Sequence, residues 1–356
     1  MPPFDTEVPV LLLRLAPGPA PRGTLGAVRS LGRAGLEVHT AAAPARGPLG
    51  RSRHLYRAHV LPAPGPLAPD RLLEFLRDLS DRIGRPAVLL PMDDRAAITT
   101  ARLAGPLLGR YLLPGQPPDL PERLADRARL ARLCRELDLP HPETAVPASA
   151  REAAGAARAL GLPLVAKWSR PWLLPPSAGL RGTALVRSPD QARRLYELTE
   201  RAGSALLLQR RLPRGPGTDW FFHGCFTRGG ACLFGGAGRR RRAGLLCARP
   251  VAAGRRPPPL PVERAALHLA GRLNYRGILG LDFRRDRHGR YHLLGASPRP
   301  GAPFRLVTDP DSGLDAVRAL HLDLTGRTVP AAPGVPTGAP APPATPAAPP
   351  GAPRRA

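Results

Sequence analysis

The chain has 356 residues, with 53 Lys or Arg against 27 Asp or Glu, so its formal net charge is +26. This length is enough for two or three domains with a substantial apolar core. The 48 Pro and 38 Gly approach the composition of a disordered chain, but an apolar content of 43% excludes a chain that is disordered throughout. We therefore expect a folded body with a disordered segment attached.

The basic residues are almost entirely arginine, because Lys167 is the single lysine in the sequence. A dedicated nucleic-acid binder clusters its basic residues and interleaves aromatic side chains that stack on bases. Here Arg is scattered through every segment, and the tight run is Arg239 to Arg242. The composition therefore argues against nucleic acid as a partner. An Arg-rich nucleic-acid binder stays open as a third hypothesis, which salt-dependent binding to any duplex would support.

The sequence also argues against a membrane partner. No segment reaches the roughly 18 uninterrupted apolar residues of a membrane span, and the apolar run Val8 to Leu13 is too short for a signal peptide. The four cysteines have neither a CxxC spacing nor a histidine at metal-site distance. We expect a soluble protein of the reducing cytoplasm.

The first part of the chain alternates between strand-like and helix-like patterns. The predicted strands are Val8–Leu15, Leu36–Ala41 and Pro86–Asp94, and the predicted helices run from Thr24, as N-cap, to Gly35 and from Arg71 to Gly84. This order predicts an α/β domain over residues 1–118. The loop after the first strand has no GxGxxG, so the sequence does not support dinucleotide binding there.

From residue 119 the pattern changes to helices followed by antiparallel hairpins, such as the turn DRHGR at 286–290. This predicts an α+β domain over 119–330, with a first lobe over 119–203 and a second over 204–330. The last segment, 331–356, consists mainly of Pro and Ala and has too little apolar surface to offset its ordering entropy. We expect it to be a disordered tail.

Lys167 ends the apolar strand LPLVAKW, where a compact ammonium suits phosphate oxygens approached from one direction. The segments around it follow a recognisable order: Asp126-Arg127 opening a helix, the strand ending in Lys167, LLLQRRLP (206–213), TDWFFHG (218–224), GAGRRRRAG (236–244), YRGILGLDFRRD (275–286) and YHLLGASPRPGAPFRL (291–306). In this order they resemble the ATP-grasp superfamily, specifically its carboxylate–amine ligase-like branch. The resemblance extends from the first domain to LDLTGR (322–327).

The resemblance implies that ATP lies between two α+β lobes. By position, it assigns the phosphates to Lys167 and Arg127, and the adenine edge to backbone groups around Gln209. It assigns the ribose to Asp219. Two further arginines correspond to catalytic positions of the family. Arg240 lies in the segment GAGRRRRAG, and Arg299 would steady the transferred phosphoryl group or the substrate carboxylate.

The metal-binding motif is where the sequence departs from the family. Active ligases hold two Mg²⁺ with one acidic residue on a strand and an acid-x-Asn pair on the next. Asp282 matches the first position, but Gly295-Ala296-Ser297 replaces the pair. Mg²⁺ prefers carboxylate oxygens, so this site is expected to be impaired. Two hypotheses remain: a ligase joining an unidentified small carboxylate to an amine through an acyl phosphate, or a degenerate, non-catalytic member that binds nucleotide or a partner protein.

Overall fold

The computed structural model describes residues 4–17, 22–43, 47–62, 67–175, 180, 182–227, 230–240, 246–248 and 260–330. The tail predicted at 331–356 lies outside the described residues. Within the described part, no helix is both long and apolar enough to cross a membrane.

The first part of the chain forms a five-stranded parallel sheet, with strand order β3-β2-β1-β4-β5. Its strands are β1 (Val10–Leu13), β2 (Val38–Ala42), β3 (Arg57–Val60), β4 (Ala87–Pro91) and β5 (Tyr111–Leu112). The connecting helices are α1 (Arg22–Arg33), α2 (Pro69–Ile83) and α3 (Asp94–Arg102). The predicted α/β alternation is confirmed. Thr24, the expected N-cap, is instead a buried residue within α1.

The next segment forms a four-stranded antiparallel sheet in the order β6-β9-β7-β8. Its strands are β6 (Thr144–Ala145), β7 (Leu164–Trp168), β8 (Thr183–Val186) and β9 (Leu206–Arg210). The helices of this region are α4 (Leu120–Ala125), α5 (Arg127–Glu136), α6 (Ala150–Leu160), α7 (Pro189–Tyr196) and α8 (Thr199–Ala202). Because β9 pairs with both β6 and β7, this sheet continues past residue 204, the predicted boundary between the two lobes.

A second antiparallel sheet has the order β12-β11-β10-β13-β14. Its strands are β10 (Asp219–Phe226), β11 (Cys232–Arg240), β12 (Leu246–Ala248), β13 (Gly277–Arg285) and β14 (Tyr291–Ser297). Helices α9 (Pro261–Arg272) and α10 (Ala316–Leu324) accompany it. The predicted hairpin turn joins β13 to β14, and Gly289 adopts a φ of 82° there, in the left-handed region that favours glycine.

The apolar core joins the first and last parts of the chain. Val10 and Leu12 of the parallel sheet belong to one apolar cluster. The same cluster contains Phe221 of β10, Leu320 of α10, and Phe304, which precedes α10 in the chain. The four-stranded sheet instead has its own core, which includes Trp168. The five-stranded antiparallel sheet is therefore packed on the N-terminal domain, and the four-stranded sheet is a separately cored lobe beside it.

Candidate active site

A cavity of about 380 Å³ lies where the two antiparallel sheets and the N-terminal domain meet. This volume falls within the roughly 300–1,000 Å³ typical of small-molecule sites. Seven of the nine residues singled out from the sequence line it: Arg127, Lys167, Asp219, Asp282, Gly295, Ser297 and Arg299. The cavity therefore brings together residues that are far apart in the chain.

Lys167 enters the cavity because of the alternation along β7. Leu164, Ala166 and Trp168 are buried in the core of their lobe, so the intervening residues face the other side of the strand. The Nζ of Lys167 donates to the carbonyl of Leu294 at 3.4 Å. Burial lowers the pKa of Lys167 to about 8, with the nearby guanidinium groups of Arg127 and Arg284 acting in the same direction, while Asp282 opposes them.

The carbonyl that meets Lys167 belongs to an irregularity in β14. The register shifts after the pair Asp282 and Gly295, because the next pair joins Phe283 to Leu293 and leaves Leu294 as an extra residue. Such a bulge turns a residue out of the regular ladder and is frequent beside active sites. The bulge thus positions Leu294 for the contact between the two sheets.

The Asp126-Arg127 pair sits at the start of α5, as the sequence indicates. Asp126 is buried and caps the helix by accepting from the backbone N–H groups of Ala128 and Arg129. Burial would raise its pKa, but hydrogen bonds from Ser169 and Arg170 bring the pKa below its ordinary value. The carboxylate therefore stays ionised and fixes the start of the helix.

Arg127 follows this cap and reaches across to the β7–β8 hairpin. Its Nη1 donates to the carbonyl of Gly182 at 2.8 Å and to that of Trp168 at 3.3 Å. Burial lowers the pKa of the guanidinium, while Asp94 acts in the opposite direction. An arginine remains charged despite such a shift, so Arg127 is a fixed cation at the wall of the cavity.

Asp282, Gly295 and Ser297 share one face of the sheet that lines the cavity. Asp282 lies directly opposite Gly295 in the ladder, and Ser297 is two residues further along β14. Residues opposite each other in an antiparallel pair, and residues two apart in a strand, project to the same side. A Cβ built on Gly295 would meet no heavy atom of the described residues within 4 Å. The position therefore has space for a larger side chain.

Asp219, predicted to meet the ribose, is engaged by two arginines. The Nε of Arg284 donates to its Oδ1 at 2.6 Å, and the Nε of Arg214 lies 3.4 Å from its Oδ2. Arg284 is directly opposite Asp219 in the ladder. The carboxylate is thus the shared partner of two cations at the cavity wall.

Arg299, just after β14, is held by the N-terminal domain. Its Nε donates to Oδ1 of Asp94, the first residue of α3, at 2.7 Å, and its Nη1 donates to the carbonyl of Pro300 at 3.3 Å. This ion pair forms the part of the cavity wall that the N-terminal domain contributes.

Two predicted residues do not line this cavity in the described structure. Gln209 lies inside the four-stranded sheet, between Thr144 and Val165, and its side chain donates to the hydroxyl of Thr144 at 2.9 Å. It instead borders a small neighbouring cavity that also reaches Arg127 and Lys167. Arg240 is in β11, but its side chain is outside the described part of the structure. The roles predicted for both residues remain predictions.

Three further charged residues that were not predicted from the sequence also line the cavity: Arg214, Arg284 and Asp94. Strand alternation could have found Arg284, because it is two residues beyond Asp282 in β13 and therefore on the same face. Asp94 follows the carboxyl end of a parallel strand, the edge at which α/β sheets bind ligands. Arg214 lies in a loop between strands, and no pattern in the sequence indicates its position.

The described residues do not fit a two-magnesium site. Asp282 supplies one carboxylate, Gly295 supplies no ligand, and Ser297 supplies a neutral hydroxyl. Elsewhere in the cavity wall, Asp219 and Asp94 are engaged by arginines. Across the described ranges, no group of three or more His, Cys, Asp or Glu side chains could hold a metal ion.

The chain matches no protein-family model, and no curated protein matches it by sequence. Solved structures nevertheless share its fold. The biotin carboxylase domain of Hydrogenobacter thermophilus 2-oxoglutarate carboxylase, in complex with ADP, its magnesium salt and bicarbonate, has a TM-score of 0.64 at 18% identity. The match covers 89% of this chain and 70% of that one.

Two other enzymes of known structure have similar scores. The L-amino acid ligase of Bacillus licheniformis has a TM-score of 0.63 at 15% identity, covering 89% of this chain and 74% of that one. The N5-carboxyaminoimidazole ribonucleotide synthetase of Thermus thermophilus has a TM-score of 0.61 at 18% identity, covering 91% and 80%. At these identities the likeness shows the fold, and the chain has the ATP-grasp fold.

Proposed function

We propose that this chain binds ATP in the cavity between its lobes and acts in the manner of the carboxylate–amine ligases whose fold it shares. The observation that supports this most directly is the meeting of Lys167, Arg127, Arg299 and Asp282 around one cavity of suitable size. The sequence pattern assigns each of these residues to the ATP site independently of their positions in space. Their convergence supports a site for a nucleotide with several phosphates.

The cavity wall is cationic, which suits the phosphates. Among the described residues that line it, five are Arg or Lys and three are Asp. Lys167 offers a point charge and the arginines offer planar forks of donors, the two chemistries by which proteins hold phosphate oxygens. In this proposal Lys167 and Arg127 hold the nucleotide phosphates, and Arg299 steadies the transferred phosphoryl group or the substrate carboxylate.

The reaction proposed for an active ligase has two displacements. A carboxylate oxygen of the substrate attacks the γ-phosphorus of ATP, forming an acyl phosphate and releasing ADP. The nitrogen of an amine then attacks the acyl carbon, an amide bond forms, and inorganic phosphate leaves with the bonding electron pair as the amine loses its proton. The residues of the cavity contribute positioning and charge stabilisation to both displacements.

The test is calorimetric titration with ATP, followed by measurement of ADP release with pools of carboxylates and amines. We expect saturable ATP binding in the wild type, weakened in Lys167→Ala. Arg290→Gln is a suitable control, because Arg290 is an exposed arginine in the β13–β14 turn. Absence of ATP binding in the folded wild type would refute the proposal. ADP release that requires both a carboxylate and an amine would identify the substrate class.

A second candidate function is favoured by a specific observation, the replacement of the acid-x-Asn pair by Gly295-Ala296-Ser297. In this alternative the chain binds nucleotide without turning it over. It predicts ATP binding in calorimetry together with no ADP release from any combination of carboxylate and amine. The same two measurements therefore separate the two candidates.

A further inference from the structure

The acid-x-Asn pair that would complete a two-magnesium site with Asp282 is replaced, yet positive charge is concentrated at the same place. Lys167, Arg127 and Arg284 lie close enough that both guanidinium groups act on the ammonium of Lys167. Lys167 and Arg127 are held by carbonyl oxygens of Leu294, Gly182 and Trp168, which are neutral acceptors. These contacts fix the cations in position without cancelling their charge.

The nearby carboxylates offset only part of this charge. Asp219 is shared between Arg284 and Arg214, and Asp94 is paired with Arg299. Asp282 acts on Lys167, but it is one carboxylate facing a cluster of cations. Like charges held together in a partly buried wall repel one another, and an anionic ligand that enters between them removes that repulsion.

We propose that the cavity binds the polyphosphate of a nucleotide without a divalent metal ion, with Lys167, Arg127 and Arg284 supplying the positive charge that Mg²⁺ would otherwise supply. This inference rests on the proposed nucleotide site. It adds that the ligand is the metal-free nucleotide anion. It also gives Arg284, two residues beyond Asp282 on the same face of β13, direct contact with the phosphates.

The residues at positions 295 and 297 determine whether the cavity can bind Mg²⁺ beside the nucleotide. They lie on the face of Asp282, and Gly295 has open space beside it. The double variant Gly295→Asp with Ser297→Asn places a carboxylate and an amide oxygen there, the ligand types that Mg²⁺ prefers. The variant Gly295→Asn with Ser297→Asn is the matched control, because it has nearly the same shape without the added charge.

The experiment is calorimetric titration of the full chain with ATP, once in EDTA and once in excess Mg²⁺. For the wild type we expect the apparent dissociation constant to be about tenfold or more higher in excess Mg²⁺ than in EDTA, because excess Mg²⁺ converts nearly all of the free nucleotide anion into its metal complex. In the Asp-containing double variant, Mg²⁺ should tighten binding about tenfold or more, and in the Asn-containing control it should not. Arg284→Gln should weaken metal-free binding about tenfold, whereas Arg285→Gln, an exposed neighbour, should leave it unchanged.

The outcomes separate this inference from the proposed function. ATP binding by the wild type only when Mg²⁺ is present would overturn metal-free binding and leave the nucleotide site standing. No ATP binding in either condition would overturn both. The wild-type titrations alone decide these cases, so the answer does not depend on whether a variant folds. Equal ATP affinity in wild type and Arg284→Gln would remove Arg284 from the site.

Discussion

Arg299 and Asp94 are 205 residues apart in the sequence, and Nε of the arginine donates to Oδ1 of the aspartate at 2.7 Å. Both side chains are about four-fifths shielded from solvent. The contact joins the end of β14 to the first turn of α3, and it therefore fixes a predicted catalytic arginine against the N-terminal domain. Arg299 was predicted from the sequence as a site residue, whereas its partner Asp94 was not.

A double-mutant cycle should show that these two residues are coupled. We expect Asp94→Asn and Arg299→Gln together to lower the free energy of unfolding by about 1 kcal/mol less than the sum of the single changes, as for a partly buried ion pair. Urea denaturation of the four proteins measures this. Asp70→Asn, an exposed aspartate in the first turn of α2, controls for loss of a helix N-terminal charge. If the losses in free energy of unfolding are strictly additive, the ion pair orients Arg299 without stabilising the fold.

Lys167 should contribute strongly to nucleotide affinity and little to folding. Replacing it with Ala removes a charge-assisted hydrogen bond to phosphate, and we expect ATP binding to weaken by about 1–3 kcal/mol. The fold should persist, because Lys167 is a half-buried residue of the cavity wall, bonded to a carbonyl at 3.4 Å, and is not part of the apolar core. Calorimetry gives the affinity and circular dichroism the fold. Unchanged ATP affinity would remove the main support for the nucleotide site.

The lowered pKa of Lys167 predicts a pH dependence of ATP binding. In the free protein the ammonium loses its proton as the pH rises through about 8, and only the protonated form attracts phosphate. Bound phosphates raise this pKa, so binding takes up a proton and ATP affinity falls as the pH increases above 8. Lys167→Arg keeps its charge throughout this range. Between pH 7 and 9.5 the wild type should lose about tenfold more affinity than this variant.

Parallel titrations of the two proteins measure this difference. Both experience the same ionisation of ATP, so the comparison isolates residue 167. Identical pH profiles would mean that Lys167 keeps its proton well above pH 8 or does not contact the phosphates.

Different parts of this molecule were predictable from the sequence for different physical reasons. The parallel sheet could be predicted because strands buried on both faces are continuous apolar runs, as at Val10–Leu13. Lys167 and Asp282 could be identified because the segments that contain them follow the order of segments in the family that the sequence resembles. The ion pairs of Asp94 and Asp219 could not, since charged partners distant in sequence leave no periodic signal. The bulge at Leu294 was equally hidden, because it depends on the register between two strands.

The close packing of His223 on Gly280 gives a prediction about stability. A Cβ on Gly280 would lie 2.4 Å from Cε1 of the His223 ring, which is itself buried. Gly280→Ala should therefore lower the free energy of unfolding by about 1–3 kcal/mol, as overpacking does. Adding His223→Ala should relieve the clash, so the double variant should be more stable than the two single losses imply. Thermal and urea denaturation measure both effects.

Gly295→Ala is the control for this test, because open space surrounds that glycine among the described residues. It should change stability by far less than Gly280→Ala. If His223→Ala fails to relieve Gly280→Ala, the backbone of β13, and not the imidazole, sets the requirement for glycine.

Asp282 gives the sharpest distinction between a metal-dependent and a metal-free site. If it held Mg²⁺, Asp282→Asn would weaken ATP binding in the presence of the metal, because a ligand carboxylate would be lost. In the metal-free site proposed here, Asp282 is instead a negative charge among the cations that face the phosphates, and it raises the pKa of Lys167. Neutralising it should strengthen ATP binding in EDTA by about two- to tenfold. The sign of the change in affinity, measured in EDTA and again in Mg²⁺, therefore decides the role of this carboxylate. Weaker binding confined to the Mg²⁺ condition would make Asp282 a metal ligand, whereas stronger binding in both conditions would make it a counter-charge to Lys167.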